Sequence, residues 1–427
     1  MVVPNDAHPA AAADLDSLPV TLADIRAAAE RIRGAIVRTP CHHSPALSRL
    51  CGCDVYAKLD YLQGTGSFKE RGARNKFLLL DEAERRNGVI AASAGNHAQA
   101  LAFHGRDMGI SVTVVMPRWA PLVKVGNCRA LGANVVLHGE TFDEARAHAV
   151  ALQQQRGYTY VHGFDDPAIV AGAGTAALEI LEDVPNADAV IIPVGGGGLI
   201  SGMGIALKAL RPECRVIGAE STTAPTLTAA LEAGSVVRVE CRPTIADGLA
   251  IAQLGQINFQ IARQVVDEVA LVDEAATARA VLQLMELEKA VVEGAGATAL
   301  AAVTGPMKSK LEGKTVVLTL CGGNIDAAVL ARVIERGLAA DGRLCRVTCR
   351  VSDRPGSLAK LLDVLGKAGA SVKDVMHDRS FGPSDVGRVD ISLVLETHDF
   401  DHVKEVHDAL RAADIDFAIP RRFPGDE

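Results

Sequence analysis

Gly64-Thr65-Gly66-Ser67-Phe68-Lys69-Glu70-Arg71-Gly72-Ala73 sets one lysine between a glycine-rich turn and a helix start built of small residues. An amine so placed can act as a nucleophile toward a carbonyl and as a proton carrier. Three further segments could serve the same chemistry: Ser93-Ala94-Gly95-Asn96-His97, Gly195-Gly196-Gly197-Gly198-Leu199 and Cys321-Gly322-Gly323-Asn324. Each follows an apolar, β-branched run that reads as a buried strand, so four strand-to-loop sites point toward one shared centre.

Consecutive glycines before Leu199 and Ile200 expose backbone N–H groups at a helix start, an arrangement that receives phosphate oxygens without side-chain charge. No Gly-Lys-Ser/Thr follows, and there is no dinucleotide fingerprint with an acidic ribose partner, so a nucleotide is the weaker reading. Pyridoxal phosphate needs an amine for a Schiff base, amides for its phosphate and a partner for its pyridine nitrogen. Lys69, the glycine run and Cys321 supply candidates. The plainer alternatives are a surface lysine, a tight turn and a buried structural thiol.

The elements that must position these loops follow from patterning. A helix is predicted at 22–33, followed by strands at 55–58, 88–92, 111–115, 134–137, 189–192, 215–218 and 315–319, with alanine-rich helices between most of them, such as 97–108 and 121–131. Continuous apolar strands alternating with helices indicate an α/β fold with parallel sheets covered on both faces. Residues 1–20 read as a disordered lead and 21–336 as the catalytic region with two α/β subdomains. A linker is expected over 337–343. Over 344–420 the expected order is β-α-β-β-α-β, a ferredoxin-like unit. A turn-rich stretch is placed at 381–387.

Composition narrows the classes. In 427 residues with 48% hydrophobic content and a net charge of −8, no basic run interleaved with aromatics exists to bind a phosphate backbone. Nucleic acid is not an expected partner. Nine cysteines, an odd number, make no disulfide framework in a chain this long. Cys51-Gly52-Cys53 has no second cluster at zinc spacing, so no metal is assigned. No apolar run approaches the ~20 residues that span a bilayer, and the start lacks a secretory pattern; a cytoplasmic protein is expected.

The ordered motifs resemble the threonine dehydratase family of fold type II pyridoxal-phosphate enzymes over about residues 20–337. They are Thr39-Pro40, Lys58 with Gln63, Ser67-Phe68-Lys69 with Arg71-Gly72-Ala73, the Ser93–His97 loop, Phe164-Asp165-Asp166-Pro167, and the glycine run. Thr244 to Leu249, Glu293-Gly294-Ala295-Gly296-Ala297 and Gly322-Gly323-Asn324-Ile325-Asp326 complete the set. The resemblance implies a tryptophan synthase β-like core of two domains. Lys69 is then the Schiff-base lysine and general base, Phe68 packs on the cofactor ring, and Asn96 bonds its phenolic oxygen. Gly195, Gly196, Gly197, Gly198 and Leu199 hold the phosphate, and Cys321 meets the pyridine nitrogen where relatives commonly have serine. Ser93, Ala94, Gly95, Asn96 and His97 receive the substrate carboxylate, although His97 also reads as a structural helix-start histidine.

The expected activity is elimination of ammonia from L-threonine to give 2-oxobutanoate, with L-serine as a second substrate. A serine dehydratase or racemase is the same-class alternative, and a non-catalytic amino-acid-binding regulator the different-class one. Related racemases carry a serine where this chain has Ala94, which argues against racemisation. Metal-dependent relatives place carboxylates after the strand bearing Glu220, and Ser221 to Thr228 has none. The tail resembles an ACT domain through Asp353-Arg354-Pro355-Gly356-Ser357-Leu358. That implies a homo-oligomer and an isoleucine or valine effector.

Overall fold

The computed structural model describes residues 1–5, 15–379 and 387–419. It divides into two compact units, Met1–Leu330 and Ala331–Glu427. The strands of the first, in chain order, are β1 Val2–Pro4, β2 Cys41–His43, β3 Asp54–Lys58, β4 Val89–Ala92, β5 Val112–Met116 and β6 Asn134–Leu137. They continue with β7 Thr159–Tyr160, β8 Ala189–Pro193, β9 Arg215–Ser221, β10 Glu268–Val272 and β11 Thr315–Thr319. They form a seven-stranded sheet in the order β1-β10-β9-β8-β11-β3-β2 and a four-stranded sheet in the order β6-β5-β4-β7.

The smaller sheet is parallel throughout. The larger is parallel in its centre, with β1 and β2 antiparallel on the two edges. Central strands such as Ala189–Pro193 and Val112–Met116 are buried at every position, as sheets with helices on both faces require. A core of Val, Ile, Leu and Ala joins the larger sheet to helices Leu22–Ile32, Pro167–Asp183 and Gly198–Leu210.

Two boundaries differ from expectation. The chain start is not wholly without structure: Val2 pairs with Ala270 on the sheet edge, and Asn5 Nδ2 donates to the carbonyls of Arg263 and Val266 at 3.0 and 2.7 Å. Edge pairing needs only backbone groups, so three residues suffice without any periodic pattern. Residues 337–340 are not a linker either. They continue the helix Ala327–Ala340, because Leu338, Ala339 and Ala340 are strong helix formers that outweigh Gly337.

The second unit carries β12 Leu344–Ser352, β13 Ser371–Asp378, β14 Arg388–Glu396 and β15 Asp416–Ala418, with helices Ser357–Lys367 and Phe400–Ala412. Its antiparallel sheet, in the order β13-β14-β12-β15, has the ferredoxin-like arrangement. All but the last residue of the turn expected at 381–387 lie outside the described residues.

Candidate active site

The parallel strands of the first unit deliver their loops to the carboxyl ends of the sheets, the crevice in which open α/β folds place ligands. Lys69 opens the helix Lys69–Leu78. The preceding turn is tied to the loop after β11: Phe68 N–H donates to Cys321 O at 2.9 Å and Gly323 N–H to Gly66 O at 2.9 Å. Asn324 Nδ2 donates to Thr65 O at 2.6 Å. Gly66, at φ +77°, leaves no room for a side chain, since a Cβ there would lie 2.6 Å from Asn324 Oδ1.

Lys69 Nζ donates to Gly163 O at 2.6 Å and stands 5.0 Å over the Phe68 ring. Burial lowers its pKa to about 8, against the opposing influence of Cys321 and Glu293. An amine poised near neutrality can serve as nucleophile and then as base. Burial pushes the Cys321 thiol far up, so Cys321 stays protonated and neutral.

Across the cleft, Ser93 to Asn96 are half-buried and His97 is buried. Ser93 Oγ accepts from Gly95 N–H at 3.3 Å. The N–H groups of Ala94, Asn96 and His97 have no acceptor among the described residues. They sit at the start of the helix Asn96–Met108, where partial positive charge favours a carboxylate. His97 contacts Val161 O through Nε2 at 3.1 Å, leaves Nδ1 without a partner, and is held near pKa 3 by burial and by Lys69. Its imidazole is neutral and braces the Val161–Gly163 backbone that receives Lys69.

The glycine run is buried, and Gly197 has φ +90°. The N–H groups of Gly195, Gly196, Gly197, Gly198 and Leu199 have no acceptor among the described residues. Unpaired buried amides at a helix start call for an anion. The absence of side chains has a second cause that the sequence does not reveal. A Cβ on Gly196 would overlap the Phe164 ring, and one on Gly197 would lie 2.8 Å from Leu254 Cδ1.

Behind the run, Glu220 is fully buried and its carboxylate accepts from Leu227 N–H at 2.6 Å, Thr228 N–H at 3.0 Å and Thr228 Oγ at 2.8 Å. Burial lifts it to about pKa 7 in spite of those bonds. Thr226 Oγ donates to Gly195 O at 2.8 Å, tying the same segment to the run.

Sequence reasoning gave Glu293 and Asn324 no role beyond their motifs. Asn96 Nδ2 donates to Glu293 Oε1 at 2.7 Å, and Asn324 Nδ2 donates to Asn96 Oδ1 at 2.9 Å. A second unforeseen cluster lies beneath Lys69. Arg71 donates from Nε to Asp60 Oδ2 at 2.7 Å and from Nη2 to Asp60 Oδ1 at 2.8 Å. It also reaches Glu179, which Lys58 meets at 2.5 Å.

In the second unit, Asp353 to Leu358 form the turn into the helix Ser357–Lys367, with Gly356 at φ +89°. With His377 and Arg379 they line a cavity of about 480 Å³. Arg379 Nε donates to the Asp353 carboxylate at 3.2 Å.

A lysine beside an aromatic ring, unpaired buried amides at a helix start and a neutral thiol fit pyridoxal phosphate: a Schiff-base partner, a phosphate cradle and a neighbour for the pyridine nitrogen. The chain belongs to the pyridoxal-phosphate dependent enzymes, whose family model matches residues 32–322; an ACT domain model matches 346–412. It is 44% identical to an L-threonine ammonia-lyase of Thermotoga maritima over 94% of this chain and 99% of that protein. Threonine deaminase isoform 2 from Solanum lycopersicum superposes with TM-score 0.73 at 34% identity, over 79% of this chain and 92% of that one. Serine racemase from Dictyostelium discoideum gives 0.68 at 38% identity, over 72% and 99%.

Proposed function

We propose that this chain is an L-threonine ammonia-lyase that converts L-threonine to 2-oxobutanoate and ammonia, with L-serine as a second substrate giving pyruvate. The observation that carries the reading is that Lys69, His97 and the glycine run meet on one segment, Val161 to Phe164: Lys69 on Gly163 O, His97 on Val161 O, and Gly196 against the Phe164 ring. Bound through Lys69, pyridoxal phosphate supplies an electron sink for the bond electrons released at the substrate Cα.

The amides of Gly195 to Leu199 would hold its phosphate, Phe68 would pack on its ring and Asn96 would donate to its phenolic oxygen. Ala94, Asn96 and His97 N–H groups orient the substrate carboxylate, with Ser93 and Gly95 shaping that loop. Lys69, as a free amine, would take the α-proton; a pKa lowered to about 8 would let it do so near neutrality. Cys321 is a neutral partner for the pyridine nitrogen and does not force protonation there. A neutral neighbour there would withdraw electrons less strongly than a charged one and would favour prompt loss of the β-hydroxyl. Ala94 offers no hydroxyl for return of a proton from the opposite face, which supports elimination over racemisation.

The turn Asp353, Arg354, Pro355, Gly356, Ser357 and Leu358 is the site for a branched-chain amino acid such as isoleucine or valine, bordered by the ion pair of Arg379 and Asp353, which an amino acid's carboxylate and ammonium groups would have to engage. ACT units pair between subunits, so the enzyme is a homo-oligomer. No helix among the described residues is long and apolar enough to cross a membrane.

Lys69→Ala tests the catalytic reading. Oxo-acid formation from threonine should fall about a thousandfold or more, and borohydride should no longer fix the cofactor to the protein. Near-wild-type turnover in that variant would overturn the assignment.

A further inference from the structure

Glu293 is a 4% exposed carboxylate with no task in the reading above. It stands at the start of the helix Gly294–Thr304, behind Asn96. Its backbone N–H donates to Gly322 O at 3.0 Å, and the nearby Asn324 backbone favours its charged form. Asn96 is gripped from both ends, with Nδ2 donating to Glu293 Oε1 and Oδ1 accepting from Asn324 Nδ2. A side-chain amide so held has one stable orientation, because a flip would set nitrogen against nitrogen and oxygen against carboxylate. The fit is tight. A Cβ on Gly322 would overlap Glu293 Oε1 and come within 3.1 Å of Asn96 Nδ2. Asn96 Nδ2 carries two protons, and one remains uncommitted.

We infer that Glu293 is a positioning residue: with Asn324 it locks the Asn96 amide so that its remaining N–H faces the cofactor. Its charge also acts to raise the pKa at the Lys69 nitrogen. The inference rests on the reading that Lys69 and Asn96 hold pyridoxal phosphate. The charged and titratable groups facing Glu293 are Asp247, Lys124, Lys69 and Cys321. Asp247 and Lys124 are paired with each other and act on Glu293 in opposite senses, Asp247 the more strongly. Burial is the main reason that Glu293 is raised to about 7. Asn96 keeps its bond in either state, since a neutral carboxyl still presents a carbonyl oxygen.

The test uses the full chain loaded with pyridoxal phosphate, comparing Glu293→Gln, Glu293→Ala and Asn324→Ala with wild type. Cofactor affinity is read by absorbance titration, and the protonation midpoint by following the visible band of the lysine-bound cofactor from pH 6 to 10. Glu293→Gln keeps an acceptor and loses the charge. Its midpoint should drop by about one pH unit or enter the window from above, while its Kd rises less than about tenfold. Glu293→Ala and Asn324→Ala should each weaken cofactor binding by about tenfold or more. A wild-type spectrum and midpoint in Glu293→Gln, or wild-type Kd in the folded alanine variants, overturns the inference. Failure of the underlying reading is distinct: borohydride then fixes no cofactor on Lys69 in the wild type.

Discussion

Removing the Asp60 carboxylate tests whether the ion cluster beneath Lys69 holds the site. Lys58, Asp60 and Arg71 are buried and Glu179 is 17% exposed at its side chain, giving two cations and two anions. Burial alone would push Asp60 up, but the charge and bonds of Arg71, the charge of Lys58 and the Thr39 hydroxyl bond at 2.6 Å hold it below the usual carboxylate range. Asp60→Ala leaves one uncompensated buried cation and frees two Arg71 donors, a change that costs about 3–5 kcal/mol. At about 2.1 cal/mol/K per residue, a unit of about 330 residues has a melting entropy of about 0.7 kcal/mol/K, so Tm should fall by about 6 °C. Thermal unfolding by circular dichroism measures it. Because the folded pKa is depressed, the contribution is present above about pH 4 and is lost as pH falls through the folded value, so the gap between variant and wild type should close in acid. The double variant Asp60→Ala with Arg71→Met leaves Lys58 and Glu179 balanced and should cost less than the two single changes together. A Tm within about 1 °C of wild type for Asp60→Ala would refute the argument.

Gly196→Ala should lower both Tm and cofactor affinity, because its Cβ overlaps the Phe164 ring; Gly197→Ala should cost about 1–2 kcal/mol through its positive φ. Denaturant midpoints and cofactor titration separate the two effects, and unchanged midpoints in both would contradict the packing account. For Glu220 the folded pKa is raised to about 7, so its contribution to stability is full below about pH 4.5 and is lost as pH rises through 7, by up to about 3 kcal/mol. Glu220→Gln should flatten stability against pH over that window, and an unaltered profile counts against it. Asp353→Ala and Arg379→Ala should abolish any response of threonine turnover to isoleucine or valine while leaving uninhibited turnover within about twofold. A retained response places the effector elsewhere.

The strands that carry the site were legible because buried parallel strands are continuous apolar runs, as in Val316-Val317-Leu318 and Val190-Ile191-Ile192. Edge strands were not. Cys41–His43 and Thr159–Tyr160 are two or three residues long, too short to show a period. The run Glu268–Val272 does carry the signal, in Val269, Ala270, Leu271 and Val272, and could have been found. Loop residues with an intrinsic chemical signature, Lys69 and the four glycines, stood out in the sequence. Glu293 and Asn324 did not, because their meaning lies in meeting Asn96 across 197 and 228 residues of chain. No local pattern encodes such a contact.

The segment from Lys58 to Arg71 explains why the ion cluster and the chemistry occupy one stretch. Its two ends are anchored in the core by Lys58, Asp60 and Arg71. Between them the Gly64–Phe68 turn is held by Asn324 on Thr65, Gly323 on Gly66, Cys321 on Phe68, and the Glu70 carboxylate on the Thr65 N–H. A turn restrained from so many sides limits where the Lys69 nitrogen can go, and the proposed reaction would have that nitrogen act twice, first as the cofactor's anchor and then as base at Cα. A flexible lysine would gain entropy when displaced and drift from the α-proton. Here those hydrogen bonds restrain the backbone, so a displaced side chain would move alone and keep its amine within reach.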